Sequence, residues 1–139
     1  MNLVIDCSFI MSSILPDEKQ GEIDKVFKGI FNGEYKVVVP AVFYLECNNV
    51  LISSLKKQRI NLNDYKDYLQ ILSDFPFHTD KFCFTVESLQ IIGKLATKYN
   101  LTTYDAAYLE LSKRLEAKMA TLDQHLARSC KEAGIETII

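Results

Sequence analysis

A chain of 139 residues, 48% hydrophobic and 24% charged with a formal net charge of −2, has the balance of a soluble globular protein. At this size one core buries roughly two-thirds of the surface exposed by the unfolded chain, and no Pro-, Gly- or Ser-rich stretch marks a linker, so a single domain over residues 1–139 is expected. The lack of an overall basic field excludes a protein that coats DNA or RNA indiscriminately, but not an enzyme acting on nucleic acid, because a site built of carboxylates lowers the net charge by itself.

The segment from Met1 to Leu15 is apolar, yet no Lys or Arg precedes it, Asp6 interrupts it, and it is too short to span a membrane. It reads as a strand, Leu3-Val4-Ile5, then a helix beginning near Ser8. Ile23, Val26, Phe27 and Ile30 recur at helical spacing until Asn32-Gly33 stops them, and Lys36 to Pro40 reads as a buried strand. Helices follow over Ala41 to Leu55 and Leu62 to Leu72, the second capped by Asn61 or Asn63. Phe75 to Thr79 is a short strand, Val86, Leu89, Ile92 and Leu95 mark another amphipathic helix, and Thr102 or Thr103 opens one that runs to Ala117. Lys118 to Leu122 is a strand, Asp123 opens a last helix to Lys131 that Gly134 ends, and Glu136 to Ile139 is a final strand. Alternation of this kind predicts an α/β protein whose parallel sheet is covered on both faces, with ligands held beyond the carboxyl ends of the strands.

Four acids stand where those elements start, end or turn: Asp6, Glu46, Asp105 and Asp123. Like charges brought within a few Å raise one another's pKa unless a cation joins them, so a cluster of the four calls for a divalent metal. Three of them have a competing role as helix caps: Asp6 before the first helix, Asp105 in the capping-box spacing Thr102-x-x-Asp105, and Asp123 after Thr121 at the start of the last helix. Glu46 has no such role. At 100° per residue it falls at about 40° on its helix, between Val42 at 0° and Val50 at about 80°, beside Asn49; the alternative is a glutamate at the edge of the core.

Carboxylates with waters and phosphate oxygens suit Mg²⁺ or Mn²⁺, which polarise a phosphoryl group and activate water, while hydroxyls such as Ser8 and Thr121 hold ligand carboxylates in place. That set describes a phosphodiesterase. Neither histidine lies in a metal motif, His125 reading as a surface residue and His78 as packed near a strand end, and no nucleotide-binding glycine loop or G-x-S-x-G occurs. Cys7, Cys47, Cys83 and Cys130 are scattered, so reduced thiols and a cytoplasmic location are expected. The runs Lys56, Lys57, Arg59 and Lys113, Arg114, Lys118 read as solvated helix faces, with steering of a phosphate backbone as the alternative.

The segments Val4-Ile5-Asp6-Cys7-Ser8, Leu45-Glu46-Cys47-Asn48-Asn49-Val50-Leu51, Thr102-Thr103-Tyr104-Asp105-Ala106-Ala107-Tyr108-Leu109 and Ala120-Thr121-Leu122-Asp123, in this order and spanning nearly the whole chain, resemble the PIN-domain nucleases, and within them the VapC toxins of toxin/antitoxin pairs. The resemblance implies a PIN-like α/β/α sandwich with a central parallel sheet, Mg²⁺ or Mn²⁺ held by Asp6, Glu46, Asp105 and Asp123, and support from Asn49 and Thr121. It further implies endoribonuclease activity on an RNA substrate, homodimers, and a VapB-type antitoxin gripped partly by the helices between Val42 and Leu72. Two other readings fit the PIN resemblance: a binding module whose acids are structural, and a stand-alone RNA-processing nuclease. A phosphotransfer domain with an aspartyl nucleophile is disfavoured, since Cys7 and Ser8 occupy the positions where its second acid would stand.

Overall fold

The computed structural model describes residues 1–13 and 20–139. The end of the N-terminal apolar segment, Ile14 and Leu15, lies outside them. Strand β1 (Asn2–Ile5) leads into the short helix α1 (Cys7–Ser12), followed by α2 (Gln20–Phe31), β2 (Lys36–Pro40), α3 (Val42–Lys56), α4 (Leu62–Asp74) and β3 (Phe77–Asp80). A 3-10 turn at Phe82–Phe84 precedes α5 (Val86–Tyr99), α6 (Thr103–Arg114), β4 (Lys118–Ala120) and α7 (Gln124–Glu132).

The strands form one parallel sheet in the order β3-β2-β1-β4. Successive side chains of a strand point to opposite faces. Leu3, Val4 and Ile5 of β1 are all 0% exposed, so helices cover both faces, as a purely parallel sheet requires. On the β3 side a run of aromatic contacts ties the helical layer to the sheet edge: Phe9 stacks on Phe27 with centroids 5.0 Å apart, Phe27 meets Phe75 edge-on, Phe75 meets Phe77 at 4.4 Å, and Phe77 meets Phe43 at 4.8 Å.

Local chemistry sets the element ends. Asn61, the first of the two candidate caps, forms a reciprocal capping box with Asp64, and Thr85 does the same with Ser88 at the start of α5. The helix expected to reach Ala117 stops at Arg114, because Glu116 takes a left-handed conformation (φ 50°) while the Ala117 amide bonds back to the Ser112 carbonyl. Strand β4 ends at Ala120 rather than Leu122, since the Leu122 and Asp123 amides go to the Ser8 and Thr121 hydroxyls and are lost to the ladder. The expected strand Glu136 to Ile139 reduces to one parallel bridge, Met119 with Thr137, made by two backbone bonds to Met119. With β4 only three residues long, there is little ladder for a fifth strand to join.

Two of the three cations of the second basic run, Arg114 and Lys118, are engaged by the fold, while Lys113 is exposed. Arg114 forks onto Asp80 (2.7 and 3.2 Å), bonds Glu110 at 2.6 Å and lies over the Phe82 ring at 4.5 Å, while Lys118 pairs with Glu136 at 2.9 Å. The first run stays on the surface, with Lys57 and Arg59 exposed past the end of α3.

Candidate active site

In the order β3-β2-β1-β4 the chain winds outward from β1 on one side and then returns to place β4 on the other. The crevice of such a sheet opens where the order reverses, beyond the carboxyl ends of β1 and β4. Ile5 pairs with Ala120 across these strands, which brings Asp6 beside Thr121 and the turn leading to Asp123. Glu46 reaches the crevice from the second turn of α3, and Asp105 from the first turn of α6. All four acids line one cleft of about 400 Å³, with Ser8, Asn49 and Val50 at its walls. A larger cleft of about 530 Å³ at the opposite end of the strands, near Met1, Lys118 and Glu136, gathers no comparable set of groups.

Asp6 is buried and fully engaged. Its Oδ1 accepts the Phe9 amide (3.0 Å), which caps α1, and the Ser8 hydroxyl (2.7 Å); its Oδ2 accepts the Thr121 hydroxyl. Each hydroxyl spends its only proton on Asp6 and accepts a backbone amide in return, Leu122 to Ser8 at 2.9 Å and Asp123 to Thr121 at 3.0 Å. The two hydroxyls therefore lock the end of β1 to the turn after β4. Burial pushes the Asp6 carboxyl above its ordinary value, against the pull of these donors, and the Asp123 charge pushes the same way.

Asp123 is both cap and cleft residue: its Oδ1 accepts the Leu126 amide at 2.9 Å at the start of α7, and it stands exposed at the rim. At Asp105 the cap is divided. Thr102 accepts the Asp105 amide at 3.1 Å, but the Thr102 amide does not donate back to the carboxylate, which faces the cleft. Burial, then the charges of Asp123 and Asp6, raise Asp105, while Thr102 and His125 oppose them. His125 is exposed on α7, its ring held to the Asn100 carbonyl at 2.7 Å; His78 is exposed on β3.

Glu46 corrects one expectation about α3. The buried stripe of this helix is Phe43, Cys47 and Leu51, whereas Val50 is 38% exposed and Leu45 74% exposed. Glu46 thus flanks the core stripe and faces the cleft, and Val42 and Val50 belong to cleft walls. Burial raises Glu46 first, the neighbouring Tyr108 hydroxyl lowers it, and Asp105 and Asp6 raise it further. Asn49 lines the cleft without a hydrogen bond to any of the acids among the described residues. Tyr108 carries no functional motif in the sequence; its only signal there is its place three residues after Asp105 on one helix face.

Among the described residues no three His, Cys, Asp or Glu side chains close in tightly enough to form a metal coordination sphere alone. The donor set nonetheless fits a hard cation that keeps several waters. Four carboxylates share the cleft, and Glu46 Oε1 is buried with no hydrogen-bond partner, so hard oxygen donors dominate the set.

An α/β/α fold with carboxylates gathered at the switch point of a parallel sheet defines a class of proteins built around an acidic cleft. The PIN domain family model matches residues 3–132, and the chain belongs to that family. Ribonuclease VapC3 of Pyrobaculum aerophilum is 28% identical over 127 residues, 91% of this chain and 93% of the relative. The crystal structure of PAE2754 from Pyrobaculum aerophilum superposes with a TM-score of 0.71 at 19% identity, covering 99% of this chain and 84% of that one. The VapBC2 structure from Rickettsia felis, bound to a promoter DNA fragment, gives 0.60 at 14% identity, covering 92% of each.

Proposed function

We propose that this chain is a Mg²⁺- or Mn²⁺-dependent endoribonuclease and the toxin of a VapBC-type pair. The observation that carries the reading is the convergence of Asp6, Glu46, Asp105 and Asp123, from four separate elements, on one cleft where three of them are raised partly by one another's charge. A cation in the cleft relieves the mutual repulsion of such a set. When bound, the metal supplies positive charge to the phosphodiester oxygens and lowers the pKa of an attacking water. Asp6, fixed through Ser8, Thr121 and the Phe9 amide, anchors the site; Glu46 and Asp105 face it from opposite helices; Asp123 holds the rim. The relative named Ribonuclease VapC3 supports RNA as substrate, and the VapBC2 assembly supports a VapB-type antitoxin as partner; pairing as homodimers belongs to the same proposal. No described helix is long and apolar enough to cross a membrane.

The test is cleavage of a mixed RNA pool by the purified chain with Mn²⁺ or with EDTA, beside Asp6→Asn, Glu46→Gln and Asp105→Asn. Cleavage that needs the metal and falls at least 100-fold in each variant is expected; equal cleavage by all four proteins overturns the assignment. A second reading, a PIN-like binding module with structural acids, draws on the capping roles of Asp6 and Asp123 and on the absence of a closed ligand set among the described residues. Under that reading Mn²⁺ leaves the melting temperature unchanged.

A further inference from the structure

Glu46 Oε1 and Tyr108 Oη are both buried and both without a hydrogen-bond partner among the described residues. One is an acceptor and the other a donor, on α3 and α6, the helices that bring Glu46 and Asp105 to the cleft. Tyr108 is fully buried, and its ring is fixed in the core three residues along the same helix face from Asp105. The two groups sense each other: the phenol lowers Glu46, and Glu46 adds to the burial that raises the phenol. Among the described residues, neither atom has a partner within ordinary hydrogen-bond distance and angle limits. A buried tyrosine hydroxyl is normally satisfied, and the Glu46 carboxylate is the acceptor that acts on this one.

We propose that Tyr108 is a positioning residue for Glu46: its hydroxyl donates to the carboxylate when that group turns toward a bound divalent cation, and so fixes the orientation in which Glu46 serves as ligand. The inference rests on the metal reading of the cleft given above. Donors behind ligand carboxylates orient them and raise the affinity of the site, and their loss costs roughly 10- to 100-fold in metal binding. Phenylalanine keeps the ring that packs in the core and removes only the donor.

Mn²⁺ titration calorimetry on wild type, Tyr108→Phe and a control, Tyr104→Phe, tests the proposal together with melting of each metal-free protein. Tyr104 is the exposed tyrosine of the same helix, beside the cleft wall. Tyr108→Phe should bind Mn²⁺ roughly 10- to 100-fold more weakly than wild type while its metal-free melting temperature holds or rises, since an unsatisfied hydroxyl has been removed. Tyr104→Phe should match wild type in both. Wild-type affinity in Tyr108→Phe overturns the inference and leaves the metal reading standing, as does a weaker affinity accompanied by a lower metal-free melting temperature, which marks a role in folding alone. Wild type that binds no Mn²⁺ overturns the metal reading, and this inference with it.

Discussion

Glu46 shows what a single carboxylate does to the metal-free protein. Burial, with Asp105 and Asp6 nearby, sets its folded pKa above the unfolded value. Ionisation is then harder in the folded state, so its penalty is absent below the unfolded pKa and develops as pH rises through the folded one. Glu46→Gln removes the charge and keeps the volume. Its metal-free melting temperature should exceed that of wild type at pH 7.5, and the gap should shrink as pH falls toward 4.5; a gap that is constant or widens on acidification refutes the assignment of strain to this residue. The same residue was legible in the sequence for a partly mistaken reason. Val42 and Val50 looked like a core stripe with Glu46 inside it, but the core runs through Phe43, Cys47 and Leu51, and the valines line the walls of the clefts that Glu46 faces. A residue flanking a buried stripe and a residue within it differ by a rotation that a handful of apolar neighbours does not resolve. Tyr108 was harder still, because a buried tyrosine in an apolar run looks like packing until its hydroxyl is seen without a partner.

Elements were readable where a local rule acts alone and blurred where side chains compete for backbone groups. The Asn61 cap, the Asn32-Gly33 stop and the run Val37-Val38-Val39 needed nothing beyond their neighbours. The end of β4 depended on Ser8, more than a hundred residues away, taking an amide that the ladder would have used. Arg114 belongs to the same kind: a cation in a basic run that turns out to be a clasp between α6, the end of β3 and the Phe82 ring. Removing it leaves Glu110, nearly buried, as an unpaired charge. Breaking a buried pair costs about 3–5 kcal/mol, and with the Arg114 side chain 34% exposed the solvent screens part of that, so Arg114→Ala should cost about 2 kcal/mol in urea denaturation. Were Arg114 instead a steering group for phosphate, the variant would unfold like wild type and bind RNA more weakly, with a shallower dependence on salt concentration.

At the scale of the molecule, the fold class followed from alternation alone, whereas the site required the strand order. Asp6 and Asp123 point into one crevice because β1 and β4 are neighbours, a long-range fact that no local pattern contains. The strand order also makes the cleft a collective device: carboxylates contributed by the β1–α1 turn, α3, α6 and the β4–α7 turn repel one another across elements, so their charge works against the fold as a whole. Asp6, Glu46 and Asp105 all have folded pKa values raised above their unfolded ones, hence the metal-free protein loses stability from these groups as pH rises through the folded values. A cation that binds only the folded state reverses this, adding about RT ln(1 + [M]/Kd), and it competes with protons for the same oxygens. The rise in melting temperature on adding saturating Mn²⁺ is therefore expected to be larger at pH 8 than at pH 5. Asp6→Asn should flatten that profile, because the anchor of the site is gone. A Mn²⁺ shift equally large at both pH values would locate the cation away from these carboxylates, at groups that do not titrate between them.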